Sequence, residues 1–139
     1  MTSFSDKHFD ITLKDRTRLI FKEFEGRNLL HIRRFTYDGF PTRKGIVFRE
    51  GELLELCDVK TDFQRAVRNG TNWKYKFNEL INIEWNDESR MLDFRYVHRT
   101  WDGQTLYSTK GVTLSQEAAN EMFDILCCNF TYSIKALNY

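Results

Sequence analysis

The sequence predicts an α+β chain of two tandem units. Each unit is a curved antiparallel β-sheet followed by a helix (ββββα-like), and the two fold together as a pseudo-dimer. Three observations carry that prediction. The order strand, turn, strand, loop, Lys-Gly strand, helix occurs twice, at a period of roughly sixty to sixty-six residues. The strand segments alternate apolar and polar side chains, whereas the segment closing each half carries apolar residues at helical spacing. At 139 residues the chain has the length of one ordinary domain, so each half alone would bury too little apolar surface to be comfortable.

In chain order, residues 1–15 read as an N-terminal arm, with a short alternation at Phe9 to Leu13 that fits either a flexible segment or an edge strand. Residues 16–69 form the first unit. Arg16 to Glu25 alternates as a strand, with Leu19, Phe21 and Glu23 on one face and Ile20, Lys22 and Phe24 on the other. Gly26 is the turn residue, because it takes positive φ without a Cβ clash. Arg27 to Tyr37 is a second strand, placing Leu30, Ile32 and Arg34 on one face and Leu29, His31, Arg33 and Phe35 on the other. After Asp38-Gly39 and an edge position at Pro41, Thr42 to Phe48 returns as a strand. Gly45 within it marks a bend or a close backbone approach. Arg49 to Asn69 is helical, with Leu53, Leu56, Phe63 and Val67 as its apolar stripe. Thr61 and Gln64 form a capping-box pattern, which predicts a kink or restart at Thr61. Asn69-Gly70 ends the helix.

Residues 70–78 read as a connection, and residues 79–139 as a second, diverged unit. Glu79 to Trp85 is a strand with Ile81, Ile83 and Trp85 on one face. Asp87-Glu88-Ser89 turns the chain, Met91 to Arg99 and Leu106 to Leu114 are strands, and Asp102-Gly103 lies in the loop between them. Ser115, with Glu117 in the first turn, starts the second helix. Its stripe is Ala119, Met122, Phe123, Leu126, Phe130, Ile134 and Leu137.

Charge is distributed unevenly, although the chain as a whole carries a formal +1. Lys14 to Arg49 holds ten Lys/Arg against four Asp/Glu, an excess of six, whereas Lys74 to Leu114 holds six against six. Positive charge therefore gathers on the first unit, where it is interleaved with aromatic residues from Phe24 to Phe48. Lys and Arg neutralise phosphates and release counterions, and an aromatic face stacks on any base, so this pattern suits single-stranded nucleic acid. His31 and His98 lie near arginines and read as surface or half-buried rings. Trp73 and Trp101 flank loops, the latter as a strand contact or a loop anchor.

Other chemistry finds little support. Cys57, Cys127 and Cys128 are odd in number, and two are adjacent, so they read as reduced, buried thiols on helices rather than a disulfide framework. That reading places the protein inside the cell, in nucleus or cytoplasm. There is no signal peptide and no apolar run of spanning length, so no membrane partner is expected. No Walker loop, GxSxG, HExxH or paired-cysteine metal site occurs. The expectation is a protein with no catalytic residues, no metal site and no cofactor.

The first half resembles the positive cofactor four family of transcriptional coactivators, which bind single-stranded DNA. FEGRNLLHIRRF (Phe24 to Phe35) is similar to the family's strand turn and following Ile-Arg strand. TRKGIVF (Thr42 to Phe48) is similar to its Arg-Lys-Gly-Ile strand, and AVRN (Ala66 to Asn69) to its helix end. The second half matches through LDFR and TKGVTL and through the shared order of elements. The family fold is a curved four-stranded antiparallel sheet backed by a helix, and its dimer holds two DNA strands of opposite direction. The resemblance implies a chain that supplies both halves of such a dimer, or two chains forming a homodimer.

The resemblance also implies nucleic-acid contacts. In the first unit they fall on Phe24 as the stacking ring and on Lys22, Arg27, Arg33, Arg43 and Lys44. In the second they fall on Trp85, Arg90, Arg95 and Lys110. Glu25 and Thr36 depart from the family pattern, with Phe35 or Tyr37 as substitutes for the ring lost at Thr36. Ile83 and Thr109 stand where the family is basic, which makes the second site a degenerate, structural half. The functional expectation is a non-catalytic single-stranded-DNA-binding protein with little sequence preference, acting in transcription or replication. RNA is the alternative ligand. The alternative function is a protein–protein interaction module of the same fold, a transcriptional cofactor that engages transcription or replication proteins. The compact tandem design would suit a virus or phage.

Overall fold

The structure, a computed structural model, describes residues 8–128. Two four-stranded antiparallel sheets, each followed by a helix, make up an α+β fold in two tandem units. The first sheet is β1 (Phe9–Thr12), β2 (Thr17–Phe24), β3 (Arg27–Phe35) and β4 (Pro41–Arg49), in that spatial order. A 3₁₀ turn at Glu50–Glu52 leads into α1 (Leu53–Asn69). The second sheet is β5 (Trp73–Lys76), β6 (Ile81–Asn86), β7 (Met91–Arg99) and β8 (Thr105–Ser115), followed by α2 (Gln116–Leu126).

Alternation decides which face each strand buries. Leu19, Phe21, Leu30, Ile32, Ile46 and Phe48 turn inward from the first sheet, and Ile81, Ile83, Trp85, Leu92, Phe94, Val112 and Leu114 from the second. These form a single cluster with Leu53, Leu56, Phe63, Met122 and Phe123 from the helices. Burying a large side chain of this kind contributes about 1.5–3 kcal/mol, so the shared core is the main source of stability.

Each helix also touches the other unit. Phe63 of α1 stands edge-on to Trp85 of the second sheet at 5.3 Å, and Tyr75 of β5 donates a hydrogen bond to Glu55 of α1 at 2.9 Å. In the other direction, the Lys14 N–H beside the first sheet donates to Glu121 of α2 at 3.1 Å. The helices also meet each other, through Phe63 and Phe123 at 5.4 Å and through Lys60 and Asp124 at 3.1 Å. Phe48 of the first sheet contacts Phe94 of the second at 6.1 Å.

Several local expectations change. Phe9–Thr12 pairs with β2 and belongs to the first sheet. Trp73–Lys76 pairs with β6, so the segment read as a connection holds the first strand of the second sheet. Helix α1 runs through Thr61 without a restart, because Val59 and Phe63 on either side are both buried. The cap at Ser115 is present, its hydroxyl accepting the Ala118 N–H at 3.2 Å. Phe130, Ile134 and Leu137 lie outside the described residues. Of the cysteines, Cys57 is buried, but Cys127 is half-buried and Cys128 exposed. Among the described residues no helix is long and apolar enough to cross a membrane.

Candidate nucleic-acid interface

The first sheet carries its charge on the face turned away from the core. With Leu19 and Phe21 inward, Arg18, Ile20, Lys22 and Phe24 of β2 point outward, opposite Arg33, His31, Leu29 and Arg27 of β3. Phe24 and Arg27 flank the two-residue turn Glu25-Gly26, where both residues have positive φ, and the Phe24 ring is 60% exposed. Burial, and then the neighbouring Arg33 guanidinium, hold the His31 pKa below its usual value. The substitute rings Phe35 and Tyr37 both already carry a guanidinium. Arg18 lies over Phe35 at 4.1 Å and Arg16 over Tyr37 at 3.3 Å.

Arg33 is held by a close backbone approach. It pairs with Gly45 on β4, and the ladder shifts register immediately after it. A Cβ on Gly45 would stand 2.6 Å from Arg33 Cζ, so only glycine leaves the guanidinium room to lie across the strand. There Arg33 Nη1 donates to the Thr42 carbonyl at 2.8 Å. The second unit repeats the arrangement. Arg95 pairs with Gly111, the register shifts after Arg95, and Arg95 Nη1 donates to the Thr109 carbonyl at 3.1 Å. The Thr42 and Ser108 hydroxyls also accept equivalent N–H groups, those of Lys44 and Lys110.

Between the units, where β4 and β8 lie alongside each other, is a cleft of ≈ 920 Å³. Arg33, Arg43, Lys44, Gly45, Tyr96, Thr109 and Lys110 line it, and none of these is acidic. A smaller cavity of ≈ 150 Å³ shares Lys44 and Thr109 with it and adds Arg34 and Arg95. Four of the expected contact residues, Arg33, Arg43, Lys44 and Lys110, are thus brought together from two units. Lys22, Phe24 and Arg27 share the outer face with Arg33 but sit toward the hairpin tip, outside the cleft lining. Arg27 and Arg33 are six residues apart on one strand, a reach of about 20 Å.

Two residues of this region escape sequence reasoning. Tyr96 lines the cleft and its hydroxyl accepts the Val47 N–H at 3.0 Å. Arg34 donates to the Thr113 carbonyl at 3.0 Å. Both occupy the bulge directly after the arginine that pairs with glycine. An arginine in the third strand followed by a Lys-Gly pair in the fourth occurs in both halves, at different spacings, and is the signal that marks them.

The second unit departs from expectation. Trp85 is 1% exposed and packs on Phe63, so no base can reach its face, and the stacking role expected of it is corrected. Its register partner is Leu92, as that of Phe21 is Leu30, which makes Trp85 the counterpart of Phe21 and a core residue. Ile83 likewise faces the core and is no vacated basic position. Arg90 turns away from the cleft, bonding Asp87 at 2.5 Å and Gln116 at 2.9 Å. Arg95 reaches the smaller cavity but is held by both oxygens of Asp93, at 2.6 and 3.2 Å. Lys74 lies 3.7 Å from Glu84, which also accepts the Tyr107 hydroxyl at 2.9 Å. Trp101 is 99% exposed, so it anchors no loop.

Among protein-family models and curated proteins, none matches the chain.

Proposed function

We propose that this protein is a non-catalytic single-stranded-nucleic-acid-binding protein of the positive-cofactor-four type. It holds unpaired DNA with little sequence preference during transcription or replication. The observation that carries this reading is the cleft between the units, lined by Arg33, Arg43, Lys44 and Lys110 with no carboxylate in its lining. The outer face of the first sheet continues it, through Lys22, Arg27 and the exposed Phe24. Cations placed this way neutralise backbone phosphates regardless of sequence, and the phenyl ring stacks on any base. The resemblance of FEGRNLLHIRRF and TRKGIVF to the family's strands supports the same reading.

Fluorescence anisotropy with single-stranded DNA, single-stranded RNA and duplex DNA tests it. Single strands bind best, and log Kd responds to log salt with a slope of about 3 if four phosphates are neutralised. Absence of salt-dependent binding at low ionic strength removes the reading. A second function, a protein-interaction module of the same fold, is favoured by the charge-balanced second sheet and by Trp101 standing clear of the surface. It predicts no oligonucleotide binding and loss of partner capture on Trp101→Ala.

A further inference from the structure

The two sheets offer equivalent outer faces that differ in charge at their centres, while at their edges Asp10 pairs with Arg18 on the first and Lys74 with Glu84 on the second. In the first, the central row across β2, β3 and β4 is Ile20, His31 and Val47. In the second, the same row across β6, β7 and β8 is Glu84, Asp93 and Thr113. Two carboxylates thus stand where the first face has an aliphatic side chain and an imidazole.

Those carboxylates are placed to occupy the cations beside them. Asp93 holds Arg95, the counterpart of Arg33, in a two-point contact, and also accepts the Thr113 hydroxyl at 2.8 Å. Asp93 raises the Arg95 pKa, first by accepting the guanidinium's hydrogen bonds and then by its charge. Glu84 holds Lys74 and the Tyr107 hydroxyl. By contrast Arg33 spends an N–H on a carbonyl oxygen and forms no ion pair among the described residues. A phosphate arriving at the first face meets a guanidinium with no carboxylate partner among the described residues. One arriving at the second meets cations already neutralised and two anions at the centre of the sheet, where like charges repel.

We propose that Glu84 and Asp93 make the protein one-sided: each chain takes up a single strand, on the first sheet and across the cleft, and the second sheet's outer face excludes nucleic acid. This rests on the nucleic-acid reading above and specifies its stoichiometry. The two carboxylates are specificity determinants rather than contact residues.

The test is a stoichiometric titration with an oligothymidylate short enough to cover one face, read by native mass spectrometry and by anisotropy at low salt. Wild-type chain saturates at one oligonucleotide. E84Q/D93N, whose amide oxygens still accept from Tyr107 and Thr113, saturates at two, the second site being abolished by adding Arg95→Ala. Urea denaturation establishes that the variants fold, and Glu84→Gln alone, which leaves the Asp93 contacts in place, serves if the double variant does not. That single variant, which loses one of the two central anions and frees Lys74, takes up a second oligonucleotide at concentrations where wild type holds one. Two oligonucleotides on wild type overturn the proposal while leaving the binding function intact. One oligonucleotide on folded E84Q/D93N overturns the role of the carboxylates. No binding to wild type at all removes the nucleic-acid reading itself.

Discussion

Arg34 and Tyr96 occupy the same bulge position in their two sheets, and each reaches across to the last strand of the other. Arg34 donates to the Thr113 carbonyl of β8, and Tyr96 accepts the Val47 N–H of β4. An extra residue in a strand is left outside its own ladder and can be aimed elsewhere. Here both bulges are aimed at the seam between units. Asp15 reinforces the first of them, 3.6 Å from Arg34 and accepting the Ser115 N–H at 3.1 Å.

Tyr96→Phe removes the acceptor of the Val47 N–H at a half-buried site. The expected loss is about 1 kcal/mol, within the range for stranding one backbone donor. Urea denaturation reads it as a lower midpoint with an unchanged slope. A shift in slope would mean that the two units no longer unfold together.

Gly45→Ala and Gly111→Ala separate binding from stability. At Gly45 the new methyl group meets the end of the flexible Arg33 side chain, which moves aside. The fold survives and affinity for single strands falls severalfold. At Gly111 the Cβ would stand 2.3 Å from the Phe94 carbonyl oxygen, a backbone atom that cannot turn away. Overpacking of this kind costs about 1–3 kcal/mol. Thermal melts beside anisotropy titrations check the contrast, and equal melting losses for the two variants would contradict it.

Phe24→Ala and Trp85→Ala form a second pair. Phe24 is exposed, so its loss leaves stability nearly unchanged and removes a base stack of about 1–3 kcal/mol, or about 5- to 150-fold in Kd. Trp85 is in the core beside Phe63, and truncation there costs about 3–5 kcal/mol. Binding by whatever fraction remains folded is expected to be normal.

His31 predicts a pH effect with a defined sign. Its folded pKa is lowered by burial and by Arg33, so below about 6.5 the unfolded chain takes the proton first. Stability therefore falls as pH drops through that value toward the folded pKa, and is unaffected by this group above it. A phosphate bound on the same face favours the imidazolium, so affinity rises over the same window. His31→Gln flattens both profiles, measured by urea midpoints and Kd between about pH 5 and 8.

Much of this architecture was legible in the sequence, because its signals are local. Alternation at Leu19 and Phe21, the stripe from Leu53 to Phe63, and the cap at Ser115 each report the structure around them. The placement of Trp85 was not legible, for a countable reason. The first hairpin turns on two residues, Glu25 and Gly26, whereas the second needs four, Asp87 to Arg90. Matching Trp85 with Phe24, as the last aromatic ring ahead of each turn, is three positions off, because Asn86 and not Trp85 directly precedes the second turn and register equates Trp85 with Phe21. Three positions is an odd displacement, and on a strand that exchanges the outer face for the core. The four-residue strands β1 and β5 are too short for alternation to separate them from loop. The cleft itself depends on β4 and β8 meeting, which no local pattern encodes.

Two identical subunits change both their surfaces whenever one codon changes, so their symmetry cannot be broken by substitution alone. Joining the halves in a single chain lifts that restriction. Contacts of α1 with the second sheet, and of α2 with Lys14 before β2, join the halves around one core, while each remains free to acquire its own side chains. Covalent linkage thus permits a molecule with a front and a back, which can leave one side free for a neighbour while the other is occupied.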